Sequence, residues 1–472
     1  MAKLGYPFTL GVASGEPLPD GVILWTRLAP EPLHLDPRRP GGMPKRQVAV
    51  RWQVAEDQGL TRVVKEGTAY AEHAWAHSVH VKVEGLRPAT EYFYRFSVAD
   101  PLFEPATSPV GRTKTAPAPD SQAPVRFAVA SCQRYEHGHF TAYRHLAVER
   151  PDVVFHLGDY IYEAGRPATT PQPGRYVRPL EPPARECTTL HDYRNRYARY
   201  RTDPDLRAAH AAAPWIVTWD DHEVEDNYRG TRPADGSDQA AFLRRRTAAY
   251  RAYYEHQPLR VRPVGDGLRM YRWRAYGTVA DFLVLDARQY RDGADMLGPE
   301  QEAWLLGKLR APRARWKVLV QPVFFAQRAF PGPGGPSFSR DAWDAYRDQR
   351  SRIMAAAGRD LVVLSGDVHN NWACELSTAF GDPAARPVGV EFVSTAITSL
   401  PPSTDNHAIL AANPHIRYFE GHRGYLTGTA TPTAFEVAYR VVDFVDRPGA
   451  PVSTAAVFGV EDGRLVRVDT MP

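Results

Sequence analysis

The chain has 472 residues, 43% hydrophobic and 24% charged, which excludes a mainly disordered polymer. Lys and Arg number 58 against 54 Asp and Glu, a formal charge of +4, and the cations are scattered rather than gathered into the basic stripe of a nucleic-acid binder. No stretch approaches the ~18 consecutive apolar residues that a membrane-spanning helix needs, and a length of this order fits roughly two to four domains.

The N-terminus, Met-Ala-Lys-Leu-Gly-Tyr, lacks the apolar core of a signal peptide. The first ~115 residues read as strands. Val22-Ile23-Leu24-Trp25-Thr26 follows a Pro-Asp-Gly turn, and Val48 to Val54 and Val79 to Val83 alternate apolar with polar residues. In Leu86-Arg87-Pro88-Ala89-Thr90-Glu91-Tyr92 the spacing suits a corner between packed sheets, where a Tyr hydroxyl bonds back to the backbone. This segment resembles fibronectin type III-like sandwiches, so an all-β domain is expected over 1–117. The Pro-rich stretch 115–120 reads as a linker.

Over 118–472 the pattern changes to strands alternating with helices, the signature of an α/β domain. Short apolar runs at 125–130, 152–157, 214–219, 282–285, 316–320 and 361–365 predict buried strands. Helices are predicted at 140–149 and 299–309, and further strands at 391–396 and 434–442. Three cysteines, Cys132, Cys187 and Cys374, are too few for a disulfide scaffold, although Cys187 and Cys374 could pair.

In α/β sheets, ligands bind outside the carboxyl ends of the strands. Four strand ends here carry metal-binding chemistry: Ser131-Cys132-Gln133, Gly158-Asp159-Tyr160-Ile161-Tyr162-Glu163, Asp220-Asp221-His222-Glu223-Val224-Glu225-Asp226-Asn227, and Gly366-Asp367-Val368-His369. Each has an ordinary reading alone: Cys132 as a small buried hydrophobe, Asp159 as a turn cap, Tyr162 as a half-buried aromatic, the Asp221 cluster as a solvated loop. Together they favour a metal site, because adjacent carboxylates after an apolar strand repel unless a cation holds them. Oxygen donors suit hard divalent cations, thiolate and phenolate suit an iron-type ion, and the set is poor in His for zinc. The residues thus point to one thiolate- and phenolate-bound metal, bridged by Asp to oxygen-bound divalent metals. Such a cluster activates a water for in-line attack on phosphorus.

These four motifs, in this order, resemble the alkaline phosphatase D (PhoD) family of the calcineurin-like metallophosphoesterase superfamily. Phe8-Thr9-Leu10-Gly11-Val12-Ala13-Ser14-Gly15-Glu16-Pro17 and the strand at 22–27 resemble that family's N-terminal domain. The resemblance implies two mixed sheets flanked by helices, Fe3+ with Ca2+, and hydrolysis of phosphomonoesters and phosphodiesters. Residue by residue, it implies Cys132, Asp159, Tyr162 and His369 as iron ligands, with Asp159 bridging. It implies Asp221, Asp367 and Asn227 as calcium ligands, and His222, with Asp221, as catalytic. Family members are commonly exported folded by the twin-arginine route, so a periplasmic or secreted location is expected, with the leader outside this sequence. Cys132 and Gly-Asp-x-His replace the wider superfamily's Asp-x-His and Gly-His-x-His, which argues against a zinc or purple acid phosphatase site.

Among weaker signals, Arg134 reads as surface charge or a phosphate grip, and Arg288 as support for the site or a partner of Asp286. His415 and His422 read as surface-loop residues that could line the pocket. The alternatives are a phospholipase D-like phosphodiesterase acting through the same metals, or a non-catalytic binding protein stapled by them. A specific nucleic-acid partner is not expected.

Overall fold

The computed structural model describes residues 3–165, 176–180, 183–382, 384–400 and 406–468. Two large sheets carry the core. The ten-stranded sheet runs Arg464–Arg467, Val452–Glu461, Phe435–Val442, Arg423–Ala430, Val125–Ala130, Val153–His156, Pro214–Val217, Val12–Leu18, Gly21–Arg27, Ser78–Glu84. A seven-stranded sheet runs Arg272–Tyr276, Ala280–Val284, Trp316–Val320, Leu361–Ser365, Pro387–Val393, Asn371–Ser377, Ile416–Glu420. Both are mixed: parallel in the middle, antiparallel toward the edges. This is the metallophosphoesterase sandwich anticipated above.

The sheets pack face to face because their strands are apolar on both sides. Phe127, Val129 and Phe155 of one meet Phe282, Val318, Val320 and Leu364 of the other in a single buried cluster. Phe282 lies 4.6 Å from Phe155 and 5.9 Å from Phe127, ring centre to ring centre. Such a central aromatic typically costs about 3–5 kcal/mol on truncation to Ala. Helices cover the outer faces. Thr141–Glu149, Leu190–Arg201, Pro204–Ala212 and Gln239–His256 lie over the first sheet, and Gly298–Arg310 and Arg347–Ala357 over the second. The helices predicted at 140–149 and 299–309 are the first and fifth of these. Leu190–Arg201 begins with a capping box, in which Thr189 and Asp192 satisfy each other's backbone N–H groups.

A third sheet, Val63–Ala71, Val48–Ala55, Glu91–Val98 and Ala106–Thr107 with Gly111–Lys114, forms one half of the N-terminal sandwich. Its apolar face packs on Val12, Val22, Leu24, Val79 and Val81. The expected corner is present: the Arg87 N–H donates to the Tyr92 hydroxyl at 3.0 Å. The other half of the sandwich is the far end of the ten-stranded sheet, since Ser14 and Gly15 pair in parallel with Pro214 and Trp215. One sheet therefore runs through both regions. The 115–120 stretch is tied down where it crosses, with the Ala116 N–H donating to the Leu18 carbonyl at 3.1 Å.

All three cysteines are buried and free, so the possible pairing of Cys187 with Cys374 is not made. Cys187 packs among the helices outside the first sheet and Cys374 among those outside the second, with both sheets between them.

Candidate metal centre

Three of the four motif-bearing strands, Val125–Ala130, Val153–His156 and Pro214–Val217, are parallel neighbours in the first sheet. The fourth, Leu361–Ser365, belongs to the second. Its loop reaches the others because the sheets are stacked and two glycines let the backbones close. A Cβ on Gly366 would stand 2.6 Å from Ser131 Oγ, and one on Gly158 would stand 2.5 Å from the Asp220 nitrogen. Gly158 also has φ +111°, which side-chain-bearing residues avoid.

The loops carry strain where the donors sit. Cys132, Asp159, Asn227, Asp367 and His369 all have φ between +55° and +68°, five of the thirteen non-glycine residues with positive φ among the described residues. Such residues cost of order 1–3 kcal/mol each and cluster where a site over-determines them. Strand-end hydrogen bonds hold the loops in register: Cys132 N–H to Gly158 O at 3.1 Å, and Gln133 N–H to Asp159 O at 3.0 Å.

Cys132 Sγ, an Asp159 carboxylate oxygen and a His369 ring nitrogen lie within 4.8 Å of one another, and a second such group joins Asp159, Asp221 and His222. Asp159 is common to both. Tyr162 sits in the first group, its hydroxyl donating to Asp159 Oδ2 at 2.9 Å and lying 3.1 Å from His369 Nε2. His369 Nδ1 donates to the Leu400 carbonyl at 2.9 Å, which leaves the Nε2 lone pair facing the cluster. Asp159 Oδ1 and Asp220 Oδ2 are buried without a hydrogen-bond partner among the described residues.

The electrostatics match. Burial, and then Asp221, Asp220 and Glu223, push Asp159 well above the ordinary carboxylate range against the pull of His222. Burial, then Asp220, Asp341 and Asp221, do the same to Asp367. Burial and then Asp159 raise the Cys132 thiol and the Tyr162 phenol, and burial lowers His369 to about 3. Acids packed this closely, with orphaned oxygens turned inward, call for compensating positive charge of the kind a metal supplies.

His222 is held from behind. Its Nδ1 lies 2.7 Å from Glu163 Oε2, its Nε2 lies 3.7 Å from Asp226, and its ring rests 4.2 Å from that of Tyr162. Glu163 Oε1 also accepts the Asp226 N–H at 2.8 Å. Asp221 Oδ2 accepts the Asn227 N–H at 2.7 Å, whereas the Asn227 side chain is exposed and bonded to Asp226. Glu223 joins two loops, accepting the N–H groups of Asp159, Asp220 and Tyr160 at 3.1, 2.8 and 2.5 Å.

Arg288 is fully buried. It donates to Asp220 at 2.5 Å and, through both terminal nitrogens, to Asp341 at 2.6 and 2.7 Å, and lies 3.4 Å from Asp221. It meets Asp286 only through its backbone N–H. Glu163, Glu223 and Asp220 stood inside the quoted motifs without an assigned role. Asp341 had no local signal at all, since it lies in irregular chain far from the motifs. Arg134 is half-buried, ion-paired with Glu136 at 2.6 Å, with its guanidinium 5.1 Å from the Tyr162 ring. His415 is buried against the Gln327 carbonyl and His422 is exposed beside Glu420.

The sequence model of the PhoD-like phosphatase family matches residues 127–439, and that of the family's N-terminal domain matches residues 2–117. The chain belongs to the PhoD-like phosphatase family. It is 48% identical to alkaline phosphatase D of Bacillus subtilis (strain 168), over 96% of this chain and 80% of that protein. A solved structure of PhoD superposes with a TM-score of 0.93 at 46% identity, covering all of this chain and 94% of the other. A purple acid phosphatase from yellow lupin seeds shares the fold at TM-score 0.58 and 13% identity, over 93% of this chain and 72% of that one. Membership makes this protein a metal-dependent hydrolase of phosphate esters. Among the described residues no helix is long and apolar enough to cross a membrane.

Proposed function

We propose that Cys132, Asp159, Tyr162 and His369 hold Fe3+, that Asp159, Asp221 and Asp367, with Asn227 at the margin, hold Ca2+, and that phosphate monoesters and diesters are cleaved there. The observation that carries this reading is the meeting of sulfur, phenol, imidazole and carboxylate donors around Asp159, with its Oδ1 unbonded. Thiolate and phenolate favour a ferric-type ion, and the carboxylates favour a hard divalent one. When bound, the metals act as Lewis acids toward phosphoryl oxygens and make a water nucleophilic near neutral pH.

The chain's own groups do the rest. Glu163 fixes the His222 ring through Nδ1, which leaves Nε2 to deliver a proton to the departing ester oxygen. Arg288 and Asp341 hold the carboxylates of Asp220 and Asp221 in place, and Glu223 sets the spacing of the Asp159 and Asp220 loops. A centre drawn from residues 132 to 369 exists only in the folded chain, which suits export after folding and a periplasmic or secreted location.

Elemental analysis tests the metals: iron and calcium are expected, with a visible ligand-to-metal band lost in Tyr162→Phe and in Cys132→Ser. Zinc alone, or a spectrum unchanged in both variants, overturns the assignment. Turnover of p-nitrophenyl phosphate, bis-p-nitrophenyl phosphate and phosphatidylcholine separates monoesterase, diesterase and phospholipase D-like action.

A further inference from the structure

A cavity of about 400 Å3 opens between the edge strand Arg272–Tyr276, the helix Gly298–Arg310 and residues 259–261. None of its lining residues belongs to the metal centre. Arg260, Arg269, Arg272, Arg274 and Lys308 face a single carboxylate there, Glu16.

Glu16 is built into place. It has φ +52° at a break in the register of its strand between Gly15 and Leu18, and such bulges re-aim a side chain. Its Oε1 accepts from Arg272 Nε at 2.8 Å and Nη2 at 2.5 Å, and its Oε2 accepts from Arg274. One carboxylate is thus shared by two guanidiniums, and Arg260 reaches only the Glu16 backbone carbonyl, donating through Nη2 at 2.9 Å. Arg260 Nε and Nη1 and Arg274 Nε are buried donors without an acceptor among the described residues. The Lys308 ammonium rests 3.9 Å over the Trp273 ring and pairs with no carboxylate among the described residues. Around these donors the walls are apolar: Leu259, Met270, Trp273 and Trp304. Asp281 fixes the Trp273 indole at 2.7 Å, and Trp304 packs 5.2 Å from Tyr271.

We propose that this cavity is a second binding site, separate from the catalytic centre, for an anion with a phosphoryl head on a flat apolar body about the size of a nucleoside monophosphate. Four guanidiniums and one ammonium line the cavity with a single carboxylate, and this surplus of positive charge suits a dianionic phosphoryl head, which guanidiniums bind through paired N–H donors. Leu259, Met270 and the two tryptophans supply apolar wall for the body, and the volume lies in the range of small-molecule sites.

The probe is 1-naphthylphosphonate, whose carbon–phosphorus bond a phosphoester hydrolase does not cut. Calorimetry on the metal-loaded enzyme is expected to record binding that Lys308→Ala and Arg260→Met each weaken at least tenfold. Both variants keep wild-type hydrolysis of p-nitrophenyl phosphate and wild-type inhibition by the probe. Lys308 is only half-buried and makes no ion pair among the described residues, so that variant decides the matter if the Arg260 one misfolds. Unchanged binding in the variants, binding that only tracks inhibition, or equal binding of the neutral 1-naphthalenemethanol overturns the proposal.

Discussion

Replacing Glu223 by Gln changes almost no volume and tests whether the two acidic loops are positioned by this one carboxylate. Oε2 accepts from Asp159 and Asp220, and Oε1 from Tyr160 alone. The amide of Gln therefore settles with its NH2 toward Tyr160, where donor meets donor, and keeps its oxygen for the other two. One hydrogen bond is lost and a buried N–H is left unsatisfied, a desolvation penalty of about 1–3 kcal/mol. A local loss of about 2 kcal/mol or more corresponds to at least ~30-fold faster exchange of the Tyr160 amide, at about 1.4 kcal/mol per factor of ten. Groups that orient metal ligands typically cost 10–100-fold when removed. The variant should therefore lose roughly that factor in kcat with little change in KM. Hydrogen exchange resolved at Tyr160, measured beside steady-state kinetics, reads both. Wild-type exchange together with wild-type kcat would refute the positioning role.

Glu163→Ala should lower kcat by about 100-fold for alkyl phosphates, whose leaving group needs a proton, and much less for p-nitrophenyl phosphate, since Glu163 is argued to act through His222; equal losses on both ester types would contradict this. Gly158→Ala places a methyl 2.5 Å from the Asp220 nitrogen at φ +111°, so activity should vanish while the far-UV circular dichroism stays native, and an active variant would show the loops to be loose. Burial alone would raise Glu16, but Arg272 and Arg274 hold it at about 2 against an ordinary 4.5. That ion pair stabilises the fold fully above pH ~4.5, and its contribution, about 3 kcal/mol, is lost as pH falls toward 2. Urea unfolding should show Glu16→Gln weaker than wild type at pH 6 with the gap closing below pH 3, and a constant gap would refute the linkage.

Much of the proposed centre is legible in the sequence because its candidate donors lie directly after short apolar strands. Trp316–Val320 and Leu361–Ser365 match the sequence reading to the residue, because their shortness, β-branched content and polar flanks favour a strand over a buried helix. The helix Gln239–His256 was not anticipated: half its residues, including Arg246, Glu255 and His256, are buried, which blurs the apolar stripe. Glu163 and Glu223 were visible as letters but not as roles, because an acid that holds a histidine and an acid that collects three backbone N–H groups look alike in a string containing 54 acidic residues.

Local order alone determined which side chains stand at strand ends, and so the chemistry proposed for the centre: Cys132, Asp159, Asp221 and His369 each follow their own strand by a few residues. Tertiary structure decided who their partners are. That Leu361–Ser365 belongs to a second sheet, that Val12–Leu18 pairs with Pro214–Val217, and that Asp341 grips Arg288 are all contacts across long separations in the chain. Such contacts leave no periodic trace, because they arise from stacking whole sheets rather than from the conformational preference of any one segment.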